Sequence, residues 1–280
     1  MLYAALFTLM ISSCNNNNVT SVVTRDSLKT KDTVAAVSVI KKDTINPFAY
    51  TPFVHDSTKS YIYLTFDDGP QSGTEEVFNL CKQLGVKATF FMVGRHAGTP
   101  KTKEWVSNIR NAYPQILLAN HSNTHANERY RFFYTHPEMA EQDFLTAQQS
   151  LNVPLKIIRL PGNSAWVRTN EIKASGLVRP VCKILDSLGF NVIGWDVEWS
   201  FTRDRFCRPV ESPEKMADEV NGAIKNKWAH THGNVVILSH DRMFQRKDDL
   251  DSLAKFITIL KENPNNVFET IDHYPGIKHP

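Results

Sequence analysis

The chain has few cysteines, four in 280 residues, and none stands in a Cys-x-x-Cys pair or beside histidines in a zinc-ribbon spacing. That excludes a dithiol redox motif and a small zinc module. The formal net charge is only +3, with no dense Lys/Arg stripe, which removes the reason to expect a nucleic-acid partner. No segment repeats itself at a period of roughly 20–50 residues, so a solenoid or propeller is excluded. Long apolar runs are also missing. The longest, residues 1–11, falls short of the roughly 20 residues that a membrane-spanning helix requires.

That amino-terminal run ends in Ile11-Ser12-Ser13-Cys14, followed by four asparagines. Small residues ahead of a cysteine resemble a bacterial lipoprotein signal, which implies cleavage before Cys14, lipid on its sulfur, and a place in the cell envelope. With Cys14 lipidated, Cys81, Cys182 and Cys207 remain. An odd number rules out a complete disulfide framework. Cys81 and Cys182 fall in amphipathic helical patterns and read as small buried hydrophobes. Residues 15–58 are rich in Asn, Thr, Ser, Asp and Lys without helical period. They read as a tether ahead of a folded domain at 59–280.

From Lys59 onward, short apolar runs alternate with longer amphipathic stretches. The runs at 61–66, 88–93, 116–119, 157–160, 191–194, 235–239 and 267–270 read as strands. The stretches near 73–84, 101–112, 137–150, 170–188, 213–227 and 248–261 read as helices. This alternation predicts an α/β fold with about seven parallel strands, a distorted, incomplete (β/α) barrel rather than an open sheet. Such folds build sites at the C-terminal ends of their strands.

Those ends carry the chemistry. Thr65-Phe66-Asp67-Asp68-Gly69-Pro70 places two carboxylates where Gly-Pro stops the first strand. His121-Ser122-Asn123-Thr124-His125 follows the third. One carboxylate with two imidazoles, plus positions open to water, suits a catalytic divalent-metal site. Three more strand ends are polar: Arg159-Leu160-Pro161-Gly162-Asn163, Trp195-Asp196-Val197-Glu198-Trp199 and Ile237-Leu238-Ser239-His240-Asp241. Singly, each has an ordinary explanation as a turn, a buried ion pair or a structural histidine; their order and placement together are far more specific.

Taken together, the five segments resemble the motifs of the polysaccharide deacetylases with a NodB-type domain, carbohydrate esterase family 4, from about Lys59 to about Tyr274. The first, second and fifth are close matches; the third and fourth are partial. The resemblance implies that Asp68, His121 and His125 hold one divalent metal ion, zinc or alternatively cobalt or nickel. It implies that Asp67 is the general base and His240 the general acid that protonates the departing amine. It implies too that Arg159 would pair with Asp67 and keep it ionised, and that Glu198, with Asp196 as fallback, would accept a hydrogen bond from His240. A backbone N–H near Gly162 serves the oxyanion, and Leu238 with Trp195 lines a pocket for the acetyl methyl. Two departures stand out: Gly162 replaces the usual aromatic after the proline, and Glu198 stands where the family usually has Asp.

The implied function is an exported, lipid-anchored, monomeric deacetylase acting on N-acetyl, or O-acetyl, groups of a polysaccharide such as peptidoglycan or a chitin-like glycan. Two other readings compete: a hydrolase of a small non-sugar amide on the same scaffold, and a lipid-tethered glycan-binding module without turnover. The remaining histidines, His96 and His230 among them, read as structural.

Overall fold

The computed structural model describes Phe48 and residues 52–279. The signal at 1–14 with Cys14, and all of the tether up to 51 except Phe48, lie outside the described residues.

The strands are β1 (Ser60–Asp67), β2 (Ala88–Met92), β3 (Ile116–Asn120), β4 (Ile157–Ile158), β5 (Trp166–Arg168), β6 (Glu171–Lys173), β7 (Asn191–Val192), β8 (Val197–Glu198), β9 (Asn234–His240) and β10 (Asn266–Phe268). The helices are α1 (Thr74–Gln83), α2 (Pro100–Asn111), α3 (Tyr130–Thr135), α4 (Pro137–Ser150), α5 (Arg179–Ser187), α6 (Pro213–Asn226) and α7 (Lys247–Lys261). They build a ten-stranded sheet in the order β6-β5-β7-β4-β3-β2-β1-β9-β8, with β10 also on β1. All pairings are parallel except β5 with β6 and with β7. β6 and β8 end the path without pairing to each other, so the curled sheet is a half-barrel, as the alternation predicts.

Both faces of the central strands are buried, and side-chain alternation assigns each residue to one core. Ile62, Leu64 and Phe66 of β1, Phe90 of β2, Leu118 of β3 and Ile237 of β9 face the core beneath α1, α2, α6 and α7. Their neighbours Tyr61, Tyr63, Phe91, Leu117, Ala119 and Val236 face a second core with Ile157 and Ile193. A third core packs α4 and α5 on β4, β5 and β7.

Three expectations need correction. The stretch 170–188 is not one helix: β6 occupies its start and α5 begins at Arg179. Pro180 lacks the N–H to continue a helix from upstream but fits a first turn. Asn170, at φ 59°, instead turns the chain into the β5–β6 hairpin. The folded part also begins upstream of Lys59: the Phe53 ring stacks on His273 with centroids 4.3 Å apart, and His55 Nε2 lies 3.0 Å from the Tyr63 hydroxyl. Finally, α3 is a helix that the six expected ones do not include. It buries Phe133 and Tyr134, and the Tyr134 hydroxyl donates to the Pro161 carbonyl at 2.6 Å.

Candidate active site

Strand parity brings the site together. The residues that fill the interior core continue, at the C-terminal ends of the same strands, as polar groups: Tyr61 and Tyr63 lead to Thr65 and Asp67, Leu117 and Ala119 to His121, Ile157 to Arg159, and Val236 to Leu238 and His240. The uppermost layer of the interior is therefore a polar cavity of about 600 Å³. Adjacent strand residues point to opposite faces, yet Asp67 and Asp68 both line this cavity. Asp68 adopts φ 74°, a left-handed conformation that Asp tolerates better than most residues, and it turns the second carboxylate back to the site. The turn closes tightly: a Cβ on Gly69 would collide with the Asp241 carboxylate and lie 2.6 Å from the Met92 sulfur. Asp241, fully buried, accepts hydrogen bonds from Thr74 and from Gln71 (3.0 Å), which ties this loop to the strand bearing His240.

The histidine loop is held from below. Asp143 of α4 accepts the N–H groups of Asn123 and Thr124 at 2.8 and 3.1 Å, and Ser122 Oγ accepts that of His125 at 2.9 Å. Residues His125, Ala126, Asn127 and Glu128 all have φ between 48° and 58°. This left-handed turn aims the Glu128 carboxylate at His125 Nδ1, 2.7 Å away, and at the Tyr130 hydroxyl, 2.6 Å away. His121 Nδ1 lies 2.9 Å from the Arg159 carbonyl, so it carries the proton. Each Nδ1 thus faces an acceptor, and each Nε2 turns to Asp68 Oδ1, at 3.4 Å from His121 and 3.1 Å from His125.

Asp68 Oδ1 is buried and lacks a hydrogen-bond donor. Two imidazole lone pairs facing a buried carboxylate oxygen demand a positive charge among them, a proton or a metal cation. One donor atom from each of Asp68, His121 and His125 lies within 4.8 Å of the other two. A carboxylate and two imidazoles, oriented through Nδ1, fit a divalent ion of the zinc type. Without an ion the electrostatics are those of a proton-sharing cluster. Burial opposes the Asp68 charge, but the imidazoles of His121 and His125, when protonated, hold its carboxyl well below the usual range. Burial likewise opposes the His125 charge, but Asp68 and then Glu128 push it up to about 9.

Asp67 is anchored. Arg159, fully buried, reaches Asp67 Oδ1 at 2.9 Å, Thr65 Oγ1 at 2.5 Å, and the carbonyls of Ile193 and Gly194 at 3.2 and 3.0 Å. Five donors in a rigid fork suit Arg, and not Lys, for this post. On the opposite flank, His240 Nε2 lies 3.8 Å from Asp68 Oδ2, and the ring meets Phe201 edge-on. Gly162, Trp195 and Leu238 line the same cavity. Gly162 adopts φ 62°, and a Cβ there would lie 3.0 Å from the Tyr130 ring. Tyr130 thus occupies space beside the position that departs from the family pattern.

The expected link between Glu198 and His240 is absent. Glu198 is exposed on the cavity wall, and His240 Nδ1 is buried without a hydrogen-bond partner. Asp196 does not replace it, because its two oxygens accept the His230 and Val236 N–H groups at 2.6 and 2.8 Å. Burial therefore lowers the His240 pKa, with Asp68 and Asp67 opposing. The sequence reading also passed over four residues that line the cavity. Glu128 and Tyr130 orient His125. His96 Nδ1 lies 2.7 Å from the Asp68 carbonyl, and Arg242 approaches Asp68 Oδ2 at 3.6 Å. None of the four belongs to the five strand-end segments singled out in the sequence.

Fold and site together define an α/β half-barrel with a carboxylate–imidazole cluster at the C-terminal ends of its parallel strands. Residues 55–176 match the family described as polysaccharide deacetylase, a span that contains Asp67, Asp68, His121, His125 and Arg159. The chain is 25% identical over 313 residues to the chitin disaccharide deacetylase of Vibrio alginolyticus, covering 79% of this chain and 73% of that protein. It is 26% identical over 243 residues to a peptidoglycan-N-acetylglucosamine deacetylase of Bacillus cereus, covering 84% and 97%. A solved family 4 carbohydrate esterase from Streptomyces lividans, in complex with acetate, shares the fold. Its TM-score is 0.52 at 21% identity, with 79% of this chain and 97% of that one covered. The chain is thus similar in sequence to polysaccharide deacetylases and shares its fold with a family 4 carbohydrate esterase.

Proposed function

We propose that this chain is a metal-dependent deacetylase hydrolysing N-acetyl groups on an extracytoplasmic polysaccharide such as peptidoglycan or a chitin-like glycan, and that Cys14 tethers it to the envelope. The observation that carries this reading is the convergence of Asp68, His121 and His125 around one position, with Asp67 and His240 on its two flanks. No helix among the described residues is long and apolar enough to cross a membrane, so the envelope tether rests on the Cys14 pattern.

The residues divide the work. Asp68, His121 and His125 would hold a divalent ion, which when bound would supply Lewis-acid polarisation of the acetyl carbonyl and lower the pKa of water. Asp67, locked by Arg159, takes a proton from the attacking water. The Gly162 N–H, which has no acceptor among the described residues, would donate to the oxyanion that develops as the water oxygen bonds to the carbonyl carbon. His240 gives a proton to the amide nitrogen as the C–N bond breaks, releasing amine and acetate. Leu238 and Trp195 pack the acetyl methyl. Without a carboxylate on Nδ1, His240 has only Asp68 and Asp67 to favour its imidazolium form against burial.

The test is acetate release from N-acetylglucosamine oligomers and from acetylated xylan, with zinc or cobalt supplied. Release from the first alone supports the N-deacetylase, and Asp67→Asn should retain metal while turnover drops to background. No release from either substrate, or equal release by Asp67→Asn, overturns the reading.

A further inference from the structure

Beside the reaction cavity lies a second one of about 530 Å³, and Trp195 lines both. Its walls are aromatic and basic. Trp228, 51% exposed, stands on one side. Trp166, 5% exposed, stacks on His230 with centroids 4.1 Å apart and planes 3° apart. The Trp166 indole N–H donates to none of the described residues, although it lies in the wall of this cavity. Ser164 and Ser175 add hydroxyls at the rim. Two cations, Lys173 and Arg179, also line the rim, and neither pairs with a carboxylate among the described residues. Lys173 Nζ reaches only His230 Nδ1 at 3.4 Å, and Arg179 only the Ala174 carbonyl at 3.2 Å. The one carboxylate on the wall, Asp196, already accepts two backbone N–H groups. The nearby Glu171 is paired with Arg168 and His230.

Trp166 also packs on Tyr274 with centroids 5.3 Å apart, so its ring is covered, and the faces open to the C–H face of a sugar are those of Trp228 and Trp195; unpaired N–H and O–H groups serve the sugar hydroxyls. Two cations against the single half-buried carboxylate of Asp196 leave this wall with an excess of positive charge, which favours a ligand carboxylate. We infer that this cavity is a second saccharide subsite, taking a carboxylate-bearing sugar unit of the same glycan chain whose acetylated unit sits across Trp195. The assignment deepens the deacetylase reading and rests on it for the identity of the glycan chain, but not for binding itself.

Calorimetric titration of the full chain decides the matter, using three tetrasaccharides: alternating N-acetylglucosamine and N-acetylmuramic acid, a uronate tetramer, and neutral chitotetraose. One carboxylated ligand or both should bind about tenfold tighter than chitotetraose, the range of one good charge-assisted contact. Binding of the muramyl ligand alone assigns a lactyl carboxylate; binding of the uronate alone assigns a ring carboxylate. Trp228→Ala, and the double variant Lys173→Glu with Arg179→Glu, should each abolish the preference. In turnover they should raise KM for the carboxylated tetramer about tenfold, one contact's worth, with kcat held and a disaccharide substrate unaffected. Equal affinity for all three ligands, or variants that bind as wild type does, overturns the subsite. If wild type releases no acetate yet the binding differences stand, the deacetylase reading fails and the subsite survives.

Discussion

Among the described residues, a buried carboxylate–histidine cluster lies at each end of the central strands, and the two differ in where their positive charge comes from. At the N-terminal end, Glu269 receives Lys87 Nζ at 2.6 and 2.8 Å and the Thr270 N–H at 2.9 Å, with His273 Nδ1 3.0 Å away. Asp272 beside it receives the Tyr113 hydroxyl at 2.9 Å. That cluster has its cation built in. At the C-terminal end, Asp68 Oδ1 receives no donor and faces two imidazole nitrogens with Arg242 only at 3.6 Å. Similar residue types make a structural staple in one place and a site for chemistry in the other. What separates them is whether the positive charge is a side chain or must be recruited.

Substitutions can sharpen or break that contrast. The largest effect belongs to His125→Ala, which should abolish metal retention and turnover together, read by metal analysis and acetate release. Metal retained at wild-type stoichiometry would remove His125 from the ligand set. His240→Ala should keep its metal and lower the rate about 10²–10⁴-fold, the usual scale for removing an acid–base group. Glu128→Gln should weaken metal affinity about 10–100-fold in a chelator competition, as expected when the group orienting a metal-ligating histidine is changed. Unchanged affinity would reduce Glu128 to a surface contact.

The smallest effect on the site, and the one that tests the other half of the comparison, is Lys87→Ala. It should leave metal affinity unchanged and cost about 1–3 kcal/mol of stability, because the buried Glu269 charge loses its partner. Burial pushes the Glu269 pKa up, but hydrogen bonds from His273 and Lys87 outweigh it and leave the group below its ordinary value of 4.5. A depressed carboxyl contributes stability above its unfolded pKa and loses it as pH falls through the folded one. The Tm of wild type should therefore fall more steeply than that of Lys87→Ala as pH drops below about 4.5. Parallel curves would show that the pair contributes nothing in acid.

Much of this was legible before the fold was seen, for local reasons. A strand's side-chain period is two, so an apolar run followed by Gly-Pro locates Asp67 at a strand end without any tertiary information. The same logic locates His121 after β3, Arg159 after β4 and His240 at the end of β9. The short β8 pair and the β5–β6 hairpin escaped because two or three residues carry no readable period. Glu198 misled because motif position says nothing about reach: it sits on β8 as expected for a partner of His240, yet its side chain is exposed.

By itself, then, the order of residues determined which groups end each strand and on which core face they begin, because alternation and chain breaks are properties of neighbours along the backbone. Only the tertiary structure decided which of those groups meet. The turn at Asp68 closes against Asp241, the loop that carries His125 hangs from Asp143, and the curl of the sheet sets Asp67 beside Arg159, and each of these contacts joins segments distant in sequence. Those approaches are fixed by packing between elements, and no local pattern encodes them.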